Sequence, residues 1–397
     1  MNVFKIRQMN MPKRYNVTRI GLLMLIILFA WLGTDTKEAT ASESDYEYQE
    51  IAGGVEITKY VGTAKDIAIP DTLGGKGVIR IGNTAFRNKE LTSVTIPDSV
   101  TNIGESAFAS NQLESVTIPD SVTSIGRWAF QNNRLKSVQI GNGVTNIGTS
   151  AFASNQLESV TIPDSVTNVG HYAFISNQLE SVTIPDSVTN IGDGAFDDNQ
   201  LESVTIPDSV TSLGDGAFRN NRLKSVQIGN GVTNIGDGAF DDNQLESVTI
   251  PDSVTSLGDG AFRNNRLKSV QIGNGVTNIG TYAFAINPLK VIIGELYSAA
   301  QTYAGNNNMI FLNFAPWSSG GQVQKEAETT VTAIWNKAFS LQYQWTPSEE
   351  EPALPTEPDS NGWTMFQSGD TLRHSADDTH TIDSAWYVHI YAQDEEG

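Results

Sequence analysis

The sequence predicts a repeat solenoid, β-rich α/β with a parallel β-sheet and short helical turns, followed by a small all-β module. Three observations carry that expectation. A 22-residue unit recurs nine times in residues 91–288, opening at Leu91, Leu113, Leu135, Leu157, Leu179, Leu201, Leu223, Leu245 and Leu267. Within each unit apolar residues alternate as a strand requires and then gather around an Ala-Phe pair. Residues 323–397 lose this period and hold aromatic, strand-like runs instead.

The copy from Leu113 to Arg134 shows how one unit works. Leu113, Val116 and Ile118 mark a strand, which Pro119 ends by removing an amide donor. Asp120-Ser121 suits a turn, Val122 and Ile125 add apolar anchors, and Gly126 permits a bend. Ala129-Phe130 reads as a brief helical turn. One copy has too few apolar side chains to offset the entropy of ordering its backbone, so copies must stack and share columns. Phenylalanines fall every 22 residues from Phe86 to Phe284. The Ser-Val-Thr strands are expected to pair in parallel, about 4.8 Å per coil. Asparagines from Asn111 to Asn287 form another column, read as a ladder of amides satisfying backbone groups at the bend.

The motif SVTIPDSVTSIG followed by AF resembles the BspA-type leucine-rich repeats of bacterial and some protist surface proteins, over roughly residues 45–314. The resemblance implies a leucine-rich-repeat arc and an exported binding or adhesion protein without catalysis. It also implies a different tightness at the convex bend, since family copies are often a residue longer, with Cys or a small residue where Asn stands here.

Residues 1–41 read as a signal peptide: a basic start, the apolar run 20–33, then Ala39-Thr40-Ala41 before the expected cut. An uncleaved anchor is the alternative, for which the run is short. Residues 42–90 are expected to be an N-terminal cap and first degenerate repeat: a hairpin turning at Gly53-Gly54, then a coil with an insertion around Gly74-Gly75. Residues 289–316 form the other cap, with a short helix in Ser298–Gly305. Residues 317–322 read as a linker. Residues 323–397, ending WYVHIYAQDEEG, resemble immunoglobulin-like modules of Gram-positive wall proteins. The last strand-like run stops just before Gly397, so that module is expected to be incomplete or the natural chain longer.

Formal charge is −20, and the expected leader carries six basic and two acidic residues, so its removal leaves −24. Such a surface argues against nucleic acid and anionic membrane as partners. No cysteine is present, which excludes a disulfide framework. A secreted, extracellular or wall-associated monomer follows, with a protein or glycan ligand, no cofactor and no membrane insertion after leader cleavage.

Catalytic constellations are not found. His171, His374, His380 and His389 match no metal spacing, and no G-x-S-x-G elbow occurs. Asp193–Asn199 lacks the distal glutamate of a calcium loop. The stacked columns Asp98/Asp120 and Asp164/Asp186/Asp208 leave a weak Ca²⁺ site as the metal alternative. Variation among the copies is more informative. The residue after each leucine reads Glu114, Lys136, Glu158, Glu180, Glu202, Lys224, Glu246, Lys268, and is read first as register-keeping and solubility. Positions after the conserved glycine vary most, with Arg127-Trp128, His171-Tyr172 and Tyr282 among otherwise small residues; these aromatics are candidate contacts. After each Phe the arc alternates Asp197, Arg219, Asp241, Arg263. Three readings follow: adhesion to host or matrix protein, binding of a glycan or wall polymer by the uniform Ser/Thr/Gln face, and a spacer presenting the last module. Residues 201–236 and 245–280 are identical, so uniformity there reflects duplication.

Overall fold

Each 22-residue unit closes one coil, and paired strands of successive coils keep an i to i+22 register. The computed structural model describes residues 2–6, 42–315, 329–334, 339–346, 364–366, 371–374 and 387–394, with side chains described for 42–313.

In the coil opening at Leu113, strand Ser115–Ile118 turns Ser115 and Thr117 outward and buries Val116 and Ile118. A two-residue strand, Ser124–Ile125, follows, and then a turn around Phe130. The Ser-Val-Thr strands pair in parallel as expected, but the continuous sheet is built on these short second strands, from Asn102–Ile103 to Asn278–Ile279, which the sequence reading did not anticipate. The Ser-Val-Thr strands pair mainly in twos, as Ser115–Ile118 with Ser137–Ile140. The physical difference is in the donors. Proline closes many first strands without an N–H, whereas a threonine precedes each second strand. Its hydroxyl donates to the preceding coil, as Thr123 to the Thr101 carbonyl at 3.2 Å.

The Ala-Phe segment is not helical, which corrects the expected helical turn. Trp128 and Asn132 have φ of 56° and 54°, left-handed values that a right-handed helix excludes. The amide of Phe130 donates to the Ala151 carbonyl of the next coil at 2.8 Å. Among the described residues the α-helix is Ala299–Asn306, in the C-terminal cap.

The phenylalanines form one stack. From Phe86 to Phe284 successive ring centroids lie 5.0–5.6 Å apart with planes within 15°. Their exposure is 0–1 %. Beside it runs the asparagine ladder. Asn155 Nδ2 donates to the Phe130 and Phe152 carbonyls at 3.0 Å, and its Oδ1 accepts from Leu135 N–H at 3.1 Å. One amide thus closes its own bend and ties it to the previous coil.

Both ends are capped by tyrosine. Strands Tyr46–Ile51 and Gly54–Tyr60 form the expected hairpin. Tyr60 stacks on Phe86 at 5.5 Å, and Tyr46 meets that ring edge-on. The insertion forms a second small hairpin, Thr72–Leu73 with Lys76–Ile81. At the other end Ser298 caps the helix, and Tyr303 meets Phe284 edge-on at 5.7 Å. Strand Ile310–Ala315 then pairs in parallel with Val291–Ile293 and antiparallel with Thr329–Ile334. Phe339–Thr346, Thr364–Phe366, Thr371–His374 and Tyr387–Asp394 are strands near the expected runs. Asn2–Ile6 pairs antiparallel with Tyr387–Asp394. The apolar run 20–33, expected to belong to a signal peptide, and the expected linker 317–322 lie outside the described residues.

Two predictions follow. Phe174→Ala opens the stack and lowers stability by about 3–5 kcal/mol, read from the urea unfolding midpoint of the full chain. The caps also set a pH limit. Burial pushes Tyr46, Tyr60 and Tyr303 above their ordinary value of 10.0, with Coulombic repulsion adding to burial at Tyr46 and Tyr60. The folded state keeps these protons to higher pH than the unfolded chain does. Their contribution is therefore full below about pH 10 and lost above it. The melting temperature should fall once pH exceeds about 10, and less in a Tyr46→Phe, Tyr303→Phe variant.

Candidate functional site

Two surfaces repeat along the rod: the Ser-Val-Thr strand face and the arc after the conserved glycine. On the strand face Ser115, Thr117, Ser137 and Gln139 are exposed. Among the described residues their side chains have no hydrogen-bond partner; Thr205 and Gln227 do meet, at 3.4 Å. The bordering column holds Glu114–Lys136 at 3.6 Å and Glu202–Lys224 at 3.1 Å, all more than half exposed. Exposed rungs of this kind contribute roughly 0.2–1 kcal/mol. Glu158, Glu180, Glu246 and Lys268 are exposed members of the same column.

On the arc, the Arg127 guanidinium lies 4.2 Å from the Trp128 ring centroid. Trp128 is half-buried, whereas Tyr172 is 42 % exposed, and both have left-handed backbone. Other coils place Thr84, Ser106, Ser150 or glycine at this left-handed position. Tyr172 needs the glycine that follows it one coil later: a Cβ on Gly194 would lie 2.4 Å from its ring. His171 Nδ1 sits 3.1 Å from Asp193 N and 2.9 Å from Asp193 Oδ2. These contacts require opposite protonation states of Nδ1. Without a proton Nδ1 accepts from the amide; carrying one, in the neutral Nδ1–H tautomer or the imidazolium, it donates to the carboxylate.

The arc therefore brings Arg127, Trp128, His171 and Tyr172 together within three coils. Tyr282 stands apart, five coils beyond Tyr172, and shares the C-terminal end with exposed Ile286 and Tyr297. The Glu/Lys column borders the strand face, away from the arc.

Several residues expected to face a partner serve the rod instead. Asp197, nearly fully buried, is bridged by Arg219 Nη2 and accepts from Asn220 Nδ2 at 3.2 Å. Arg263 grips Asp241 through Nε and Nη2, at 3.1 and 2.7 Å. The bond to each aspartate raises both arginines above their ordinary value. Asp193, Asp215, Asp237 and Asp259 each accept the backbone N–H of the next coil at 2.8–3.0 Å. Asp120 and Asp208 cap the following Gly-Asn-Gly turns through Asn142 and Asn230 N–H. The turn needs its second glycine: a Cβ at Gly231 would lie 1.8 Å from the Asp208 carbonyl oxygen. Sequence reasoning missed these inter-coil caps; their signal is an acceptor side chain recurring at i and i+22. Among the described residues no group of three or more His, Cys, Asp or Glu is placed to hold a metal ion.

With this geometry in hand, comparison places the repeats. Residues 79–202 and 189–298 match the BspA type leucine rich repeat region, in six copies. A leucine-rich repeat protein from Bacteroides ovatus is similar at 28 % identity, covering 67 % of this chain and 73 % of that one with a TM-score of 0.56. A leucine rich cell surface protein from Faecalibacterium prausnitzii is 26 % identical, covering 66 % and 96 %, with a TM-score of 0.36. No curated protein matches significantly.

The two kinds of ion pair should differ measurably. Arg219→Ala strands a buried carboxylate and costs about 1–3 kcal/mol, whereas Lys224→Ala removes an exposed rung and costs below about 1 kcal/mol. Equal urea midpoints for the two variants would refute the distinction.

Proposed function

We propose that this chain, which belongs to the BspA-type leucine-rich repeat family, is an exported, non-catalytic binding or adhesion module at the bacterial surface. One observation carries the reading. Coil after coil consumes its large apolar side chains in closed columns, while Trp128 and Tyr172 are held outward on strained backbone that other coils fill with small residues. The left-handed turn recurs in other coils with Thr84, Ser106, Ser150 or glycine, so folding does not call for a large ring there. The family is one of repeat proteins, and no enzymatic family is indicated. The leader grammar of residues 1–41 supports export, after which no membrane insertion follows. The −20 charge disfavours nucleic acid. The rod acts as a monomer, its two apolar ends closed by tyrosine caps.

A second surface favours a second reading. The unpartnered hydroxyls of the strand face suit a glycan or wall polymer, whereas the arc's aromatic anchors suit a protein such as host matrix as well. The strands between residues 329 and 394 are read as an immunoglobulin-like module that the rod holds away from the surface.

A glycan array and a matrix-protein panel, probed with the full chain, separate the ligand classes. Trp128→Ala with Tyr172→Ala should weaken capture by tenfold or more, about one hot-spot residue's worth, with an unchanged circular dichroism spectrum. Unchanged affinity removes the arc. Loss on Ser159→Lys with Ser181→Lys would move the contact to the strand face.

A further inference from the structure

The arc's backbone names its ligand. In most coils the N–H of the residue after the conserved glycine is accepted by a side chain from the same position one coil earlier. Asn83 Oδ1 takes Glu105 N–H at 2.8 Å, and His171 Nδ1 is placed for Asp193 N–H. Aspartate carboxylates take the next four, ending at Thr281. Between these runs, three successive N–H groups, those of Arg127, Thr149 and His171, have no acceptor among the described residues. The preceding side chains explain the gap. Arg127 has no acceptor atom, and neither Glu105 nor Thr149 makes the bond. The gap coincides with the coils that carry Trp128 and Tyr172.

We infer that this gap is a binding site for a carboxylate-bearing linear glycan, a polyuronate, lying along the rod across three coils. The proposal rests on the reading of the arc as the contact surface and adds the ligand's chemistry. The protein itself shows the fit: four times along the same column a carboxylate oxygen accepts this N–H at 2.8–3.0 Å. Arg127 supplies a cation held against Trp128, and Tyr172 offers an exposed ring for a pyranose face. The donors on either side, the N–H groups of Glu105 and Asp193, are already taken by Asn83 and His171 and limit the run to three. The exposed ring of Tyr172 selects the class: a pyranose presents a C–H face that stacks on it, and an acidic peptide has none. The donors themselves recur at one strand spacing, ~4.8 Å.

The test titrates the full chain by calorimetry with a uronate hexasaccharide, its methyl ester and a polyglutamate peptide. Binding of the hexasaccharide, with at least tenfold loss on esterification, supports the site. Arg127→Asp rebuilds the aspartate ladder, filling Thr149 N–H with the protein's own carboxylate. It should keep or raise the melting temperature while cutting uronate affinity tenfold or more. Tyr172→Ala should weaken binding without removing the preference for the free acid. Equal binding of ester and acid, tighter binding of polyglutamate, or full affinity in Arg127→Asp overturns the proposal. If Arg127→Asp abolishes capture of a matrix protein while the uronate never binds, the arc stands and the ligand class falls. If uronate binding survives both arc variants, the arc itself is wrong.

Discussion

Everything in this rod depends on a phenylalanine being unable to leave water alone. Each internal ring is stacked between the rings one coil before and after it, 5.0–5.6 Å away, and Tyr60 and Tyr303 take that place at the ends. Each contact adds roughly 0.5–1.5 kcal/mol beyond burial. The asparagine beside it binds the carbonyls of its own and the preceding phenylalanine. Hydrophobic stack and amide ladder thus impose the same 22-residue step. A slip would break both at once, which explains why the insertion at Gly74-Gly75 bulges out as a hairpin and leaves the column intact.

That constraint divides the coil into positions that cannot vary and positions that can. The Phe, Leu, Val and Asn columns are fixed by packing and by buried backbone groups. The arc after the glycine is freer, yet it still has donors to satisfy. Aspartate, asparagine or histidine there serves the next coil; arginine or threonine does not. Variation on this surface is therefore chemical in its consequence: each replacement decides whether a backbone donor is spent internally or left for something else.

Much of this was legible in the sequence, because period and burial speak directly. The nine leucines, the phenylalanine column, the asparagine ladder, both caps and the helix near Ser298 follow from spacing and residue type alone. The sheet did not. Two adjacent apolar stretches per coil compete for strand pairing, and a two-residue strand such as Asn146–Ile147 carries too few side chains to announce itself. Nor was the Ala-Phe turn legible, since Trp128 and Tyr172 give no sign of left-handed backbone; the glycines at 194, 216, 238 and 260 were the clue. On the arc, the exposed aromatics were readable from their size, but Asp197 and Asp241 looked like surface charges. Only the closure of the coil shows them buried beneath arginine.

The contrast between the two halves of the solenoid follows from the same ladder. From Asp193 onward the chain alternates with a 44-residue period: Asp197 with Arg219, Glu202 with Lys224, Asp208 with Asn230, then the same again. In these three columns the partners fall in neighbouring coils, so a duplicated pair of coils inserts with each pairing preserved. A duplicated single coil would not. This half is saturated: its carboxylates already hold its own donors and cations. On the arc from Arg127 to Tyr172 that alternation is missing, and there the donors, the cation and the aromatic rings stand open together. A repeat protein that satisfies itself coil by coil becomes a spacer. Recognition is left to the stretch where self-satisfaction fails.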